Sequence, residues 1–340
     1  MTTRPGARPT MNDVAAAAGV GLKTVSRVVN DEPGVAAGTA ERVRAAIAAL
    51  GFSRNDSARL LRQGRTATLG LLLEDIADPF SSVLGGAVEE IARGRESLLF
   101  TGSSGAEPQR ERELALAFCA RRVDGLVIVP TGTDHRYLLP ELAAGTAVVF
   151  VDRPAGRIEA DAVLTDNAGG ARAGTAHLIR HGHRRIGFLG DLPQLYTGAE
   201  RLRGYREALA DAGLRYDQRL VATGRTDQAT VAAALDRLVG GPDPATALFT
   251  GNNRITLAVL RALPRLPHPP ALVGFDDLEL ADLLSPGLTV VAQDPVGLGR
   301  IAAELVFRRM DGDREPPRRI ELPTVLLPRG SGEAAPRTGR

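Results

Sequence analysis

Five hydrogen-bonding side chains, Lys23, Thr24, Ser26, Arg27 and Asn30, are interleaved with the apolar Leu22, Val25, Val28 and Val29. The apolar set follows the i, i+3, i+6, i+7 spacing of one helix face, so the polar set occupies the other. Lysine and arginine can donate to guanine O6 and N7 in a major groove, while Thr, Ser and Asn can fix phosphates. The chemistry on offer is base readout rather than bond breaking. Ser26 and Asn30 also fit a plainer role, as solvated polar face and helix C-terminal cap.

The elements that must present this helix are legible on either side of it. Thr10 is a good N-cap, with Asp13 three residues on, ahead of the short apolar run Val14–Ala18. Gly19 ends that helix. A third helix is expected from about Ala37 to Leu50, burying Val43, Ile47 and Leu50 and stopping at Gly51. Two short helices joined by a glycine turn, the second polar on its outer side, form a helix-turn-helix with a recognition helix.

Other chemistry is scarce. Lys23 is the one lysine among 42 basic residues, which removes a phosphate-binding Gly-Lys-Ser/Thr loop and any Schiff-base lysine beyond the head. No Gly-x-Ser-x-Gly elbow is present either. His177 and His181 are spaced i, i+4, with His183 nearby, but no His-Glu-x-x-His pattern accompanies them. No metal, no cofactor and no enzymatic activity are therefore expected. Cys119 sits in an apolar helical run and reads as a core filler. The net charge is +2, yet residues 1–66 carry ten basic groups against five acidic ones, a positive head on a slightly acidic body. No charged-then-apolar leader and no long apolar span is read, so the expectation is a cytoplasmic protein with no membrane partner.

From Thr68 onward, strand-like runs (69–73, 98–101, 125–129, 148–151, 186–189, 247–250, 272–275) alternate with amphipathic segments (83–93, 111–121, 168–181, 201–212, 230–238). That alternation predicts βαβ units and parallel sheets covered by helices on both faces.

The residues resemble the lactose/galactose repressor (LacI/GalR) family over about residues 10 to 331. The resemblance is carried by Met11-Asn-Asp-Val-Ala-Ala-Ala-Ala-Gly-Val20, Thr24-Val-Ser-Arg-Val-Val-Asn30, Asn55-Asp-Ser-Ala-Arg-Leu-Leu-Arg62, Asp75-Ile-Ala-Asp-Pro-Phe80, Val151-Asp-Arg153, Glu200-Arg-Leu-Arg-Gly-Tyr205 and Val273-Gly-Phe-Asp-Asp277, in order along the chain. It implies a disordered tail at 1–9, a helix-turn-helix head at 10–52, a hinge helix and linker at 53–66, and a two-lobed periplasmic-binding-protein-like α/β body at 67–331. Lobe one would be about 67–165 plus a return near 295–327, and lobe two about 166–293; 332–340 would be a disordered tail.

By the same resemblance, the chain is a transcriptional regulator, a repressor binding a near-palindromic operator in double-stranded DNA as a homodimer. Its DNA contacts would come from Thr10, Leu22, Lys23, Thr24, Ser26, Arg27 and Asn30. Asn55 would cap the hinge helix, Ala58 would admit the paired hinge helix of the second copy, and Leu61 would wedge into the minor groove or else pack on the body. Asp78, Phe80, Asp152, Arg201, Asn252 and Asp276 would line an effector cleft suited to a polyhydroxylated ligand, a sugar first and a nucleoside or purine second. Asp78 also fits a plain turn before Pro79, and Asp276-Asp277 a strand-end brace. A solute-binding protein or a sugar-active enzyme would share the body, but would lack a reason for the basic head.

The chain departs from the family at Gly21, Ala36, Ala40 and Arg54, where the family has a serine, a serine, an arginine and a proline. Asn252-Asn253 replaces an Asn-Asp pair, and Ser81 a second aromatic residue. With no tryptophan, a stacked indole platform for a sugar is excluded.

Overall fold

The computed structural model describes residues 9–52 and 66–336. The chain divides after Thr66 into two compact units. Asn55, Ala58, Leu61 and Arg54 lie outside the described residues, as do residues 1–8 and 337–340.

The first unit is three helices, α1 (Met11–Ala18), α2 (Leu22–Val29) and α3 (Ala37–Leu50). Val14, Ala18, Val25, Val28, Ala40, Val43 and Ala46 form its core, with Val20, Ile47 and Phe52 packed against it. The small alanines let three short helices approach closely around four valines. Gly19 and Gly51 adopt the left-handed conformation at the ends of α1 and α3, at φ of 64° and 63°. One expected core position is corrected: Leu50, the last residue of α3, is 37% exposed, and Leu22, the first of α2, is 47% exposed.

The second unit holds two six-stranded sheets. Lobe one contains β1 (Thr68–Leu73), α4 (Pro79–Gly94), β2 (Leu98–Ser103), α5 (Pro108–Ala120), β3 (Gly125–Ile128), α6 (Leu139–Ala143), β4 (Ala147–Val151) and β5 (Asp161–Thr165). Lobe two follows with α7 (Asn167–Arg180), β6 (Ile186–Gly190), α8 (Tyr196–Asp211), β7 (Val221–Thr223), α9 (Gln228–Val239), β8 (Ala247–Thr250), α10 (Asn253–Ala262), β9 (Ala271–Phe275) and β10 (Thr289–Ala292). The chain returns to lobe one through α11 (Pro295–Met310) and β11 (Arg319–Leu322), then crosses once more to β12 (Val325–Leu327).

The sheet orders are β11-β5-β4-β3-β1-β2 and β12-β10-β9-β8-β6-β7. Every pairing is parallel except β10 with β12. The expected return at 295–327 is therefore corrected: 325–327 belongs to the sheet of lobe two. The tail expected from 332 is ordered as far as Pro336, because the Glu333 carboxylate accepts from His177, from the Thr289 hydroxyl and from the Gly330 N–H.

Alternation along each strand builds a core on both faces of each sheet. In lobe one, Leu69, Leu71 and Leu73 pack under α4 and α11 with Leu84, Val88, Leu298 and Val306, while Leu72, Leu126 and Phe150 pack with Ala115 and Cys119 of α5. In lobe two, Phe188, Phe249 and Val273 pack with Ala171, Leu178 and Tyr205, while their neighbours Leu189, Leu248 and Leu272 pack with Leu235 and Val259. Helices α7 and α8 touch closely at Gly204, where a Cβ would stand 2.1 Å from the Ala168 carbonyl oxygen. Two of the three crossings end on an aspartate that caps the next helix. Asp166 accepts from the Gly169 N–H at 2.7 Å, and Asp294 from the Gly297 N–H at 2.8 Å.

Candidate DNA-reading surface and effector cleft

In the first unit, α2 presents Lys23 to solvent at its N-terminal turn, with Leu22 beside it. Thr24, Ser26 and Arg27 are half-buried along the same helix. Gly21 occupies the N-cap and supplies no side-chain bond to the first turn. Asn30 is the C-cap, and its amide donates to Ser26 Oγ and Glu32 Oε1, both at 3.4 Å. At α1, Thr10 and Asp13 form a reciprocal capping box. The Thr10 N–H and hydroxyl donate to Asp13 Oδ2 at 2.8 and 2.7 Å, and these bonds hold the Asp13 carboxyl below its ordinary range. The Thr10 hydroxyl is thus occupied by the helix itself.

In the second unit, Asp78, Phe80, Asp152, Arg201, Asn252 and Asp276 all line one cleft between the lobes, at the carboxyl ends of the strands. Asp78 caps α4, accepting from the Phe80 N–H at 2.9 Å. Asn252 caps α10, accepting from the Ile255 N–H at 2.9 Å, and donates its amide to Asp191 at 3.1 Å. Asp152 follows β4 and Asp276 follows β9, both in the left-handed region, at φ of 70° and 73°. Burial pushes both carboxyls above the ordinary carboxylate range. Arg201 is locked on three sides. Its Nε donates to Asn167 Oδ1 at 2.7 Å and an Nη to the Gly251 carbonyl at 2.6 Å, while its guanidinium lies 3.8 Å from the Phe275 ring centroid.

Sequence reading missed several further lining residues. Glu74 and Asp191 are the first residues past β1 and β6, where the strand-end rule alone would have found them. Arg153 ends the Val151-Asp-Arg153 motif; it donates to Glu74 at 2.7 Å and to the Pro130 carbonyl at 3.1 Å. Its buried Nε comes within 3.3 Å of Asp152 Oδ2 without forming a hydrogen bond. Gln293 donates to Asp276 at 2.5 Å and accepts from the Thr165 hydroxyl at 2.7 Å. Asn253, which follows the Asn252 cap, also lines the cleft. The cleft is rich in acceptors, its arginines are already partnered, and its cavity volume is only about 60 Å3.

The three histidines point elsewhere. His177 pairs with Glu333 at 2.6 Å, His181 with the His177 carbonyl, and His183 with Thr246 and the Ala334 carbonyl. Among the described residues no His, Cys, Asp and Glu cluster is arranged to hold a metal ion, and no helix is long and apolar enough to cross a membrane.

Residues 10–55 match the family described as bacterial regulatory proteins, lacI family, and residues 175–332 match the periplasmic binding protein-like domain. The chain is 38% identical to the HTH-type transcriptional regulator CelR of Thermobifida fusca, covering 96% of this chain and 98% of that one. It is 31% identical to the HTH-type transcriptional regulator GalR of Escherichia coli (strain K12), covering 94% and 93%. Among solved structures it resembles a transcriptional regulator CelR–cellobiose complex, with a TM-score of 0.69, 34% identity and coverage of 95% and 100%. The lac repressor dimer bound to operator and the anti-inducer ONPF shares the fold, with a TM-score of 0.83, 23% identity and coverage of 96% and 100%.

Proposed function

The chain belongs to the LacI family of bacterial regulatory proteins, and from that premise we propose that it is a dimeric repressor whose cleft takes a neutral sugar. It is a sequence-specific DNA-binding transcriptional regulator built on the LacI pattern of head and two-lobed body. In this reading residues 10–52 are the DNA-binding domain and 53–66 the hinge, whose Asn55, Ala58 and Leu61 pair and wedge on the operator. Lys23 and Arg27 read bases, with Leu22, Thr24, Ser26, Asn30 and Thr10 around them.

One observation carries the effector assignment. Asp78, Asp152, Arg201, Asn252 and Asp276 converge from two lobes on a single cleft with carboxylates in excess. Sugar hydroxyls supply the donors such a site lacks, whereas an anionic ligand would meet carboxylates and arginines already paired. The cellobiose bound by the CelR relative belongs to the same ligand class. Homodimerisation is supported by exposed Ile76, Val83, Leu98 and Phe100 on lobe one and Leu280, Leu283 and Leu284 on lobe two. An effector acts only through its differential affinity for the DNA-competent and DNA-incompetent states.

The test is selection of random duplex DNA against the purified full chain at near-physiological salt, followed by a panel of neutral sugars on the selected site. Enrichment of a palindrome with two half-sites, and a sugar that shifts its affinity without being turned over, is the expected result. Salt-sensitive bulk binding alone, or turnover of the sugar, would overturn it.

A further inference from the structure

Asn253 is the first residue of α10, 4% exposed, and makes two bonds that point to different lobes. Its backbone N–H donates to Asp276 Oδ2 at 3.1 Å, within lobe two. Its side-chain Nδ2 donates to Asp78 Oδ1 at 3.0 Å, across the cleft in lobe one. Next to it on the rim, Arg254 stands 3.9 Å from Asp75, again lobe two to lobe one. The cleft's cavity of about 60 Å3 is small against the several hundred Å3 of an ordinary ligand pocket. Here the lobes meet through the protein's own side chains.

We propose that Asn253 is a positioning residue that clasps the two lobes together across the cleft, holding one cleft carboxylate from each lobe in place. The inference deepens the effector-cleft reading and rests on it. An effector hydroxyl that bonds Asp78 must displace the Asn253 amide or share Asp78 with it, so the clasp sets how readily the cleft opens and how tightly an effector is held. The amide is the element that makes this work. An amide N–H donates to the Asp78 carboxylate, whereas a carboxylate of the same shape at 253 would oppose it at hydrogen-bond distance. Asp is also well tolerated in the first turn of a helix, so the isosteric change leaves α10 intact.

The experiment uses the full chain with no ligand in any arm. Gln109 on α5 of lobe one and Gln194 before α8 of lobe two are both exposed and line one surface cavity. Spin labels on Gln109→Cys and Gln194→Cys therefore report lobe separation by pulsed electron resonance. Cys119 is buried with its thiol pushed up to about 11, and stays unlabelled. Dilution into unlabelled protein restricts the measured distance to one protomer. The expected result is a short distance in the parent chain, a shift to longer distances in Asn253→Asp, and return to the short distance in the Asp78→Asn/Asn253→Asp swap, which rebuilds the amide–carboxylate pair in reverse. Arg254→Ala, on the exposed rim, should give a smaller shift in the same direction. Equal distances in the parent and Asn253→Asp, or a swap that fails to restore closure, would overturn the clasp. Because no effector is present, failure of the sugar assignment would show only in ligand titrations and would leave this result standing.

Discussion

Asp152 and Asp276 occupy the same place in the two lobes. Each directly follows the third strand counted from its sheet's C-terminal edge, β4 in one and β9 in the other. Each sits at left-handed φ, and each donates its N–H at 2.9 Å to the neighbouring strand, to Val163 and to Val291. Glu74 and Asp191 repeat the relationship one residue past β1 and β6. The cleft is thus lined twice by the same device, and strained, buried carboxylates of this kind collect where a ligand is to be held.

Asp152→Asn separates that cost from its use. Burial raises the Asp152 carboxyl above its ordinary value, so folding is favoured below the ordinary carboxylate range and this contribution is lost as pH rises through the raised folded value. The variant should melt at a higher temperature than the parent near pH 7, with the gap closing as pH falls into the acid range. Effector affinity should drop by about tenfold or more, roughly 1.4 kcal/mol. A variant that melts lower at pH 7 would contradict the burial argument.

Arg201→Lys tests geometry rather than charge. A lysine cannot bond Asn167 and the Gly251 carbonyl together while stacking flat on Phe275. Leaving a buried acceptor unpaired should cost about 2 kcal/mol of body stability, and effector binding should be lost in calorimetric titration. Retention of both would show that the charge alone suffices.

The sequence made the head and most strands legible because glycine stops and apolar runs are local signals. Gly19, Gly51 and the run at 69–73 are of this kind. Helix α11 falls inside the expected return at 295–327 without a local helical signature, its first turns holding Pro295, Gly297 and Gly299; the reason for Gly299 is tertiary, since a Cβ there would stand 2.5 Å from the Leu84 carbonyl of α4. Strand β11 has a half-exposed alternation at a sheet edge, and its pairing with β5 spans some 150 residues of chain. The cleft carboxylates at strand ends followed from topology and family resemblance. The Asn253 clasp did not, because a contact between Asp78 and Asn253 has no local signature.

Glu111 is 1% exposed and organises the loop after β3. It accepts from the Thr131 N–H, the Gly132 N–H at 3.2 Å, the Tyr137 hydroxyl at 3.1 Å and His135 Nε2 at 3.0 Å. His135 Nδ1 accepts from the Gly156 N–H at 2.8 Å, so the ring must donate from Nε2. Burial opposes the Glu111 charge, but the bonds from His135 and Thr131 outweigh it and its carboxyl lies below the ordinary range. That stabilisation is present above the ordinary carboxylate range and is lost as pH falls through the lowered folded value. Glu111→Gln should cost about 2 kcal/mol at pH 7 through the lost charge-assisted bonds. Its stability should fall less steeply than the parent's on acidification, and an unchanged acid limb would assign that limb to other carboxylates.

The N-terminal turn of α2 permits two opposite changes, one on either side of Leu22. Gly21 has φ of −73°, and a Cβ added there would meet nothing within 4 Å, so a serine fits and can cap the first turn. Gly21→Ser should slow hydrogen exchange of the first-turn amides of α2 in the full chain, by about 0.3 kcal/mol of local stability. Lys23 is exposed and should matter for DNA instead of for folding. Lys23→Ala should leave the melting of the head unchanged while lowering affinity for the selected operator by about 1–3 kcal/mol. The two outcomes of a salt titration are distinct. Loss of affinity with relaxed preference at one base pair identifies base readout, whereas uniform weakening with a salt slope reduced by about one identifies a phosphate contact.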